Sequence, residues 1–263
     1  METAHVDGLQ VAYTRHGDGP PLVLLHGGLS DSRSWRRQRA LADEFTLLAW
    51  DAPGCGLSAV PPSTWRIADY ADCLAGWLGS IGVERAHVLG LSWGSSLALE
   101  LCHRHPAFVR SLVLASAYAG WAGSLPPEEV RARIEGFLDL VGQSPAAVID
   151  AVLPTLVTPA APPGSAEEIA AMIADFHPAG ATTMLLAMAE ADLRPALPRI
   201  AVPTLLLYGE LDQRSPLPVA RALHEQIAGS TLVVLPGVGH ECGVEDADGF
   251  NAAVRSFLQS TPR

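Results

Sequence analysis

Short, uninterrupted apolar segments recur along this chain, and longer stretches with helical spacing lie between them. Apolar runs without polar alternation are typical of strands that are buried on both faces of a sheet. The predicted strands are residues 22–26 (LVLLH), 45–51 (FTLLAWD), 86–91 (AHVLGL), 111–117 (SLVLASA), 203–209 (PTLLLYG) and 231–236 (TLVVLP). The predicted helices cover residues 34–42, 66–81, 95–105, 216–228 and 244–260. Alternating strands and helices imply right-handed crossovers, so the sequence predicts an α/β fold with a mostly parallel central sheet and helices on both faces.

Two segments depart from this alternation. Residues 6–14 read as two strands around a turn at Asp7-Gly8, too close together for a helical crossover, and they predict an antiparallel edge. Between residues 120 and 197 the strands stop, and an Ala-, Pro- and Leu-rich segment predicts three or four short helices. We interpret that segment as a helical cap over the carboxyl edge of the sheet. The predicted division is residues 1–119 (first part of the core), 120–197 (cap) and 198–263 (second part of the core).

Composition narrows the classes of partner and location. The chain has 17 Lys and Arg against 28 Asp and Glu, and the formal charge of −11 would repel a nucleic acid backbone. Residues 1–5 lack the basic region of a signal peptide, and no apolar stretch reaches roughly 18 residues, so we expect neither a signal peptide nor a membrane span. Cys55, Cys73, Cys102 and Cys242 are scattered, which predicts reduced thiols in a cytoplasmic protein and no metal site.

Residues 90–94 (GLSWG) match the pattern G-x-S-x-G at the junction between a predicted strand and a predicted helix. A serine on such a sharp turn lies in strained backbone, and the flanking glycines relieve crowding around it. The turn would raise the Ser92 hydroxyl above the sheet edge, where a base can reach it. The alternative is that Ser92 simply caps the following helix, but this leaves both glycines unexplained.

Serine is a weak nucleophile at neutral pH and needs a base that is oriented by a third group. Of the nine histidines, His240 is predicted to be the base because it follows the last strand, at the same sheet edge as Ser92. Asp212 follows the strand 203–209 at that edge and is predicted to orient His240, with Glu210 as the weaker candidate. The chain order is then nucleophile, acid, base.

A second glycine turn, residues 26–28 (HGG), follows the first buried strand. Its backbone N–H groups can approach a substrate oxygen closely. We predict that the N–H groups of Gly28 and Trp93 form an oxyanion hole, with Leu29 as a substitute donor for Gly28. Leu29 and Trp35 are further predicted to line the substrate pocket, although core packing is an equal alternative for Trp35.

Taken together, these motifs resemble the α/β-hydrolase superfamily, and they span nearly the whole chain. They are HGG at 26–28, D-x-P-G-x-G-x-S at 51–58, the serine turn at 90–94, G-x-x-D at 209–212 and the His240 loop. The resemblance implies a helical cap, a Ser-His-Asp triad and no cofactor, and it gives Asp51 and Ser58 only a structural role. Dehalogenases and epoxide hydrolases of this fold carry aspartate in place of Ser92, which argues against both activities.

Two subfamilies are similar in different parts of the chain. Residues 26–35 resemble small esterases and lactonases of the 3-oxoadipate enol-lactonase type. Residues 92–99 resemble the proline iminopeptidases, whose cap supplies carboxylates to hold a substrate amine. The candidate cap carboxylates are Glu128, Glu129, Glu135, Asp139, Glu167, Glu168, Asp175, Glu190 and Asp192. The rest of the cap is apolar, which better suits an uncharged or hydrophobic substrate.

The sequence therefore predicts a cofactor-free serine hydrolase that cleaves an ester or lactone bond of a small, largely apolar substrate. The alternatives are a proline iminopeptidase-like aminopeptidase and a ligand-binding or receptor protein on a hydrolase scaffold. The expected partner is a small-molecule substrate, with no nucleic acid and no membrane. The oligomeric state stays open, a homo-oligomer included.

Overall fold

The computed structural model describes residues 1–261, and it centres on an eight-stranded sheet with the strand order β1-β2-β4-β3-β5-β6-β7-β8. The strands are β1 (Glu2–Val6), β2 (Leu9–His16), β3 (Pro21–Leu25), β4 (Thr46–Trp50), β5 (Ala86–Leu91), β6 (Val109–Ala115), β7 (Thr204–Gly209) and β8 (Thr231–Leu235). β1 and β2 are antiparallel to their neighbours, and all other pairs are parallel. The predicted mostly parallel sheet is thus confirmed. The hairpin turn falls on Asp7 and Gly8, which both have positive φ, as a tight two-residue turn requires.

Helices cover both faces of this sheet, as predicted. The α-helices outside the insertion are α1 (Ile67–Ser80), α2 (Trp93–Arg104), α7 (Leu217–Gln226), α8 (Cys242–Glu245) and α9 (Ala247–Ser260). On one face, Leu74 of α1, Leu97 of α2 and Leu223 of α7 belong to the larger apolar core. On the other face, Phe250 of α9 packs in a second core. The central strands are therefore buried from both sides, which accounts for their uninterrupted apolar sequence.

The predicted helices at 34–42 and 244–260 differ from the structure. Residues Ser32–Asp43 form consecutive 3-10 turns instead of an α-helix. The C-terminal helix is broken between α8 and α9, where the Asp246 carboxylate accepts a hydrogen bond from the N–H of Gly249 and caps α9. Residues Cys242–Glu245 therefore form a separate short helix that begins two residues after His240.

Between β6 and β7 the chain forms four α-helices and a short 3-10 helix, Arg194–Arg199, in place of strands. The α-helices are α3 (Pro127–Val141), α4 (Pro145–Leu156), α5 (Ser165–Ala174) and α6 (Pro178–Glu190). Residues of α4 and α5 share a small apolar cluster that is separate from the two sheet cores and includes Val244 of α8. This inserted segment is called the cap below. Of the predicted second core segment, 198–263, the final two residues lie outside the described part of the chain.

Among residues 1–261, no single helix has both the length and the apolar character needed to cross a membrane. Helices α5 and α6 meet those criteria only when taken together, and they are bent by 105° relative to each other.

Candidate active site

Ser92 lies at the turn between β5 and α2 with φ of +53°, a strained conformation for a residue with a side chain. The turn is tight: a Cβ on Gly90 would lie 2.2 Å from the carbonyl oxygen of Gly94. A Cβ on Gly94 would lie 2.1 Å from the carbonyl oxygen of Leu25 at the end of β3. The Ser92 side chain forms no capping hydrogen bond with α2, so it is not used as a helix cap. The local backbone thus leaves the hydroxyl available.

His240 and Asp212 come together behind the ends of β7 and β8. His240 Nδ1 lies 3.0 Å from both carboxylate oxygens of Asp212, and both side chains are almost fully buried. Asp212 Oδ1 also accepts hydrogen bonds from the N–H groups of Arg214 and Ser215. Burial by itself would raise the pKa of Asp212, but His240, the N–H of Ser215 and the Ser116 hydroxyl outweigh it and hold the pKa below its usual value. Asp212 is therefore ionised at neutral pH and fixes the tautomer of His240 with the proton on Nδ1.

Ser92 and His240 line the same cavity. Because Nδ1 of His240 faces Asp212, Nε2 lies on the other side of the ring, away from the carboxylate. Within residues 1–261 the Ser92 hydroxyl and His240 form no hydrogen bond with each other. Catalytic hydrogen bonds are often long in the absence of substrate and shorten in the complex. The position of His240 is held from behind, where the Ser116 hydroxyl donates to its carbonyl oxygen over 2.9 Å.

The glycine turn 26–28 passes beside the serine. A Cβ on Gly27 would lie 3.7 Å from Cβ of Ser92, and Gly28 and Leu29 line the cavity with Trp93. His26 anchors the turn: its Nε2 accepts the N–H of Ala52 over 3.0 Å, so its Nδ1 donates to the carbonyl oxygen of Gly27. Trp93 is the first residue of α2, where backbone N–H groups have no acceptor within the helix.

Trp35, which the sequence suggested as a pocket residue, lies elsewhere. It is 4% exposed and packs in the second core with Leu22, Leu41 and Phe250, away from the cavity of Ser92. Its predicted place in the pocket was wrong because the 3-10 segment turns this side chain onto the sheet instead of toward the carboxyl edge of the sheet.

The space between the cap and the core at this site, including its open mouth, is about 630 Å³. All eight cap residues that line it are apolar, among them Phe137, Leu156, Met184 and Met188. None of the nine candidate cap carboxylates, all within the described residues, lines it. The cap therefore presents no negative charge to bind a substrate amine.

Two charged residues of the core line the cavity and were missed in the sequence. Arg214 lies two residues after Asp212, and Glu241 follows His240 directly. Burial, together with the Asp212 and Glu245 carboxylates, raises the pKa of Glu241 to about 7. The only sequence signal for either residue was its position next to a predicted triad member, because spacing does not show which way a side chain turns.

Among residues 1–261, no group of three or more His, Cys, Asp or Glu side chains is arranged to hold a metal ion.

The structure has the architecture of an α/β-hydrolase. Its features are a mostly parallel sheet, a serine on a strand-to-helix turn and a buried His-Asp pair at the same edge. Residues 20–247 match the family model described as alpha/beta hydrolase fold, and the chain belongs to this family. It is a hydrolase of the α/β type.

Relatives with several activities are similar over almost the full length. A Klebsiella pneumoniae protein assigned as the carbamate hydrolase RutD is 30% identical, with 92% of each chain covered. A thermophilic esterase from Thermogutta terrifontis, solved with malate bound, superposes with a TM-score of 0.92 at 28% identity and covers 99% of each chain. The enol-lactonase from Burkholderia xenovorans LB400 has a TM-score of 0.86 at 26% identity, with 98% of this chain and 100% of that chain covered. These similarities are to hydrolases of different substrates.

Proposed function

We propose that this chain is a serine hydrolase that cleaves an ester or lactone bond of a small, largely apolar substrate. The observation that carries the proposal is the shared cavity of Ser92 and His240, with His240 held by the ionised Asp212. The apolar cap lining supports an apolar substrate. The similarity to an esterase and an enol-lactonase supports the same bond types.

In the proposed mechanism, Nε2 of His240 accepts the proton of Ser92 as Oγ attacks the carbonyl carbon. The tetrahedral oxyanion receives hydrogen bonds from the N–H groups of Gly28 and Trp93, each worth roughly 3 to 4 kcal/mol in the transition state. The intermediate expels the alcohol, which takes the proton from His240 and leaves an acyl group on Ser92. Water then attacks this acyl-enzyme with His240 again as the base, and the acid is released. Asp212 stays ionised throughout and stabilises the imidazolium.

Reaction with a fluorophosphonate probe tests the nucleophile. The probe should label Ser92 in the wild-type chain, and Ser92→Ala should remove both labelling and esterase activity while the thermal unfolding midpoint stays close to that of the wild type. Ser30→Ala is the matched control, because Ser30 follows the glycine turn but is outside the lining of the Ser92 cavity. Residual esterase activity of Ser92→Ala at the wild-type level would overturn the proposal.

A substrate panel separates the remaining alternatives. We expect turnover of short-chain esters and lactones to exceed that of carbamates and of proline naphthylamide. A strong preference for proline naphthylamide would favour the aminopeptidase alternative, against which the apolar cap lining argues. Tight ligand binding with turnover far below that of ordinary esterases would favour a binding protein. Preference for a carbamate would align the chain with the RutD relative.

A further inference from the structure

Among residues 1–261, Arg214 is the one Lys or Arg side chain that lines the cavity of Ser92 and His240. Its side chain is partly buried, and within residues 1–261 it has no carboxylate partner within 4.0 Å. Its Nη1 donates a hydrogen bond to the Thr155 hydroxyl of α4 over 3.0 Å. Arg carries five N–H donors, so several of them have no protein acceptor within residues 1–261. A partly buried cation without a counterion beside an apolar cavity has a cost in free energy, which a ligand that supplies the opposite charge would reduce.

The backbone of Arg214 is fixed on both sides. Its N–H donates to Asp212 Oδ1 over 2.9 Å. Its carbonyl oxygen accepts from Arg133 Nη2 over 2.9 Å and from the Tyr118 hydroxyl. The loop that holds the triad aspartate therefore also sets the position of the guanidinium. Because core and cap both hold this loop, the guanidinium is preorganised. Binding of a ligand therefore costs little conformational entropy.

Within residues 1–261 no carboxylate forms an ion pair with this guanidinium, although the charges of Asp212 and Glu241 favour it. Burial and the charge of Arg133 act the other way and lower the pKa of Arg214 from its usual value. Arg133 carries a like charge, and it is itself paired with Glu129 over 2.7 Å and lies over the ring of Trp121. Glu241 shares the cavity but forms no ion pair with Arg214 among the described residues. Because burial raises the pKa of Glu241 to about 7, this carboxyl is largely protonated in mildly acidic solution. Under those conditions Arg214 is the dominant charge facing the substrate.

We propose that the Arg214 guanidinium binds a carboxylate of the substrate, so that the preferred substrates are esters or lactones with a free carboxylate remote from the scissile bond. The apolar cap residues would contact the hydrocarbon between the two groups. This inference rests on the proposed serine hydrolase function and narrows its substrate class. A planar guanidinium with free donors suits a carboxylate better than a neutral ester because it can form two charge-assisted hydrogen bonds.

Two pairs of substrates, each matched in the number of chain carbons, test the proposal at about pH 6, below the pKa of Glu241. Monoethyl glutarate is compared with ethyl pentanoate, and 4-acetoxybutanoate with butyl acetate, so that the carboxylate lies on the acyl side or on the alcohol side. The wild type should favour the carboxylate member of at least one pair. Arg214→Gln should lower kcat/KM for that member by about 10- to 100-fold, mainly through KM, and leave the neutral member within about twofold. Arg214→Lys should recover part of the preference.

Arg194→Gln is the control, because it removes the same charge from an exposed pair with Asp192 outside the cavity. If the hydrogen bond between Arg214 and Thr155 only held the cap to the core, Arg214→Gln would instead lower activity on both members of a pair equally. That result, or the absence of a carboxylate preference in both pairs, would overturn the proposal.

Inhibition of the wild type by glutarate and by the uncharged diamide glutaramide gives a second test that needs no variant. Glutarate should inhibit ethyl pentanoate hydrolysis more strongly than glutaramide does, and equal inhibition would contradict the inference. If fluorophosphonate fails to label Ser92 and neither ester is hydrolysed, the proposed function fails. Calorimetric titration with glutarate would then still measure whether Arg214 binds a carboxylate, by comparing wild type and Arg214→Gln.

Discussion

Glu241 is a buried carboxyl group on the cavity, and it links the site to the stability of the chain. Burial, together with the Asp212 and Glu245 carboxylates, raises its pKa from 4.5 to about 7. The neighbouring His240 and Arg214 act in the opposite direction but are outweighed. The folded state therefore retains a proton that the unfolded state loses between about pH 4.5 and 7, so stability falls as the pH rises through this window. The full cost of ionising Glu241, up to about 3 kcal/mol, is present above pH 7.

Replacing Glu241 by Gln should remove this cost. The free energy of unfolding of Glu241→Gln, relative to wild type, should increase by about 2 to 3 kcal/mol between pH 5 and pH 8, as measured by urea denaturation at each pH. Glu84→Gln, at an exposed position, should give a difference that does not change with pH. A flat difference for Glu241→Gln would show that Glu241 is already ionised in the folded chain at pH 5.

For single residues, the sequence predicted those positions that follow from the order of the strands along the chain. Ser92, Asp212 and His240 each follow a strand that ends at one edge of a parallel sheet, so their proximity could be inferred from the strand pattern alone. The orientation of side chains toward or away from the cavity could not, because it depends on packing against the cap and the sheet. Arg214 and Glu241 were missed for this reason, and Trp35 was placed in the pocket although it packs in the core.

The element that presents the serine depends on the close contact between the start of α2 and the end of β3. Because a Cβ on Gly94 would overlap a backbone carbonyl, that of Leu25, a rotamer change cannot relieve the clash. Gly94→Ala should therefore lower the free energy of unfolding by about 3 kcal/mol or more and displace the turn that carries Ser92. Chemical denaturation and esterase activity would both report the change.

Gly136→Ala is the matched control within another helix. Gly136 lies in α3, and a Cβ there would meet no atom within 4 Å. Alanine favours helix over glycine, so this variant should be more stable than wild type by about 0.5 to 1 kcal/mol where α3 unfolds with the rest of the chain. Equal stability of the Gly94 and Gly136 variants would contradict the role given to the contact with β3.

The ends of helices were less predictable than their existence. The periodic apolar positions of residues 244–260 predicted one helix, and the structure breaks it at Asp246, whose carboxylate caps α9. Aspartate is acceptable both inside a helix and at its N-cap, so the local sequence did not distinguish the two. The 3-10 geometry of residues Ser32–Asp43 was likewise set by packing, since Ser34 and Trp35 are both buried against the core.

Across the whole molecule, polar contacts join the cap to the core at the side of α5. Arg37 of the 3-10 segment contacts Glu168 through Nε and the Ser165 hydroxyl through Nη2, and its Nη1 donates to the carbonyl oxygen of Val244. Glu245 accepts the N–H groups of both Thr158 in the cap and Gly239 in the core. These contacts hold the cap beside the loop of His240, and α5 in turn packs against α4, which lines the cavity with Val152 and Leu156.

Arg37→Ala should loosen the cap without unfolding the sheet. Hydrogen exchange of the α5 amides should accelerate by about 10-fold, because the lost hydrogen bonds to charged partners lower the free energy of local opening. KM should rise as the apolar wall of the cavity becomes less ordered, whereas exchange in β5 should stay at the wild-type rate. Arg36→Ala is the control, since Arg36 is adjacent and exposed. If Arg37→Ala accelerated exchange in β5 as much as in α5, the cap and the core would open as one unit, and independent movement of the cap would be excluded.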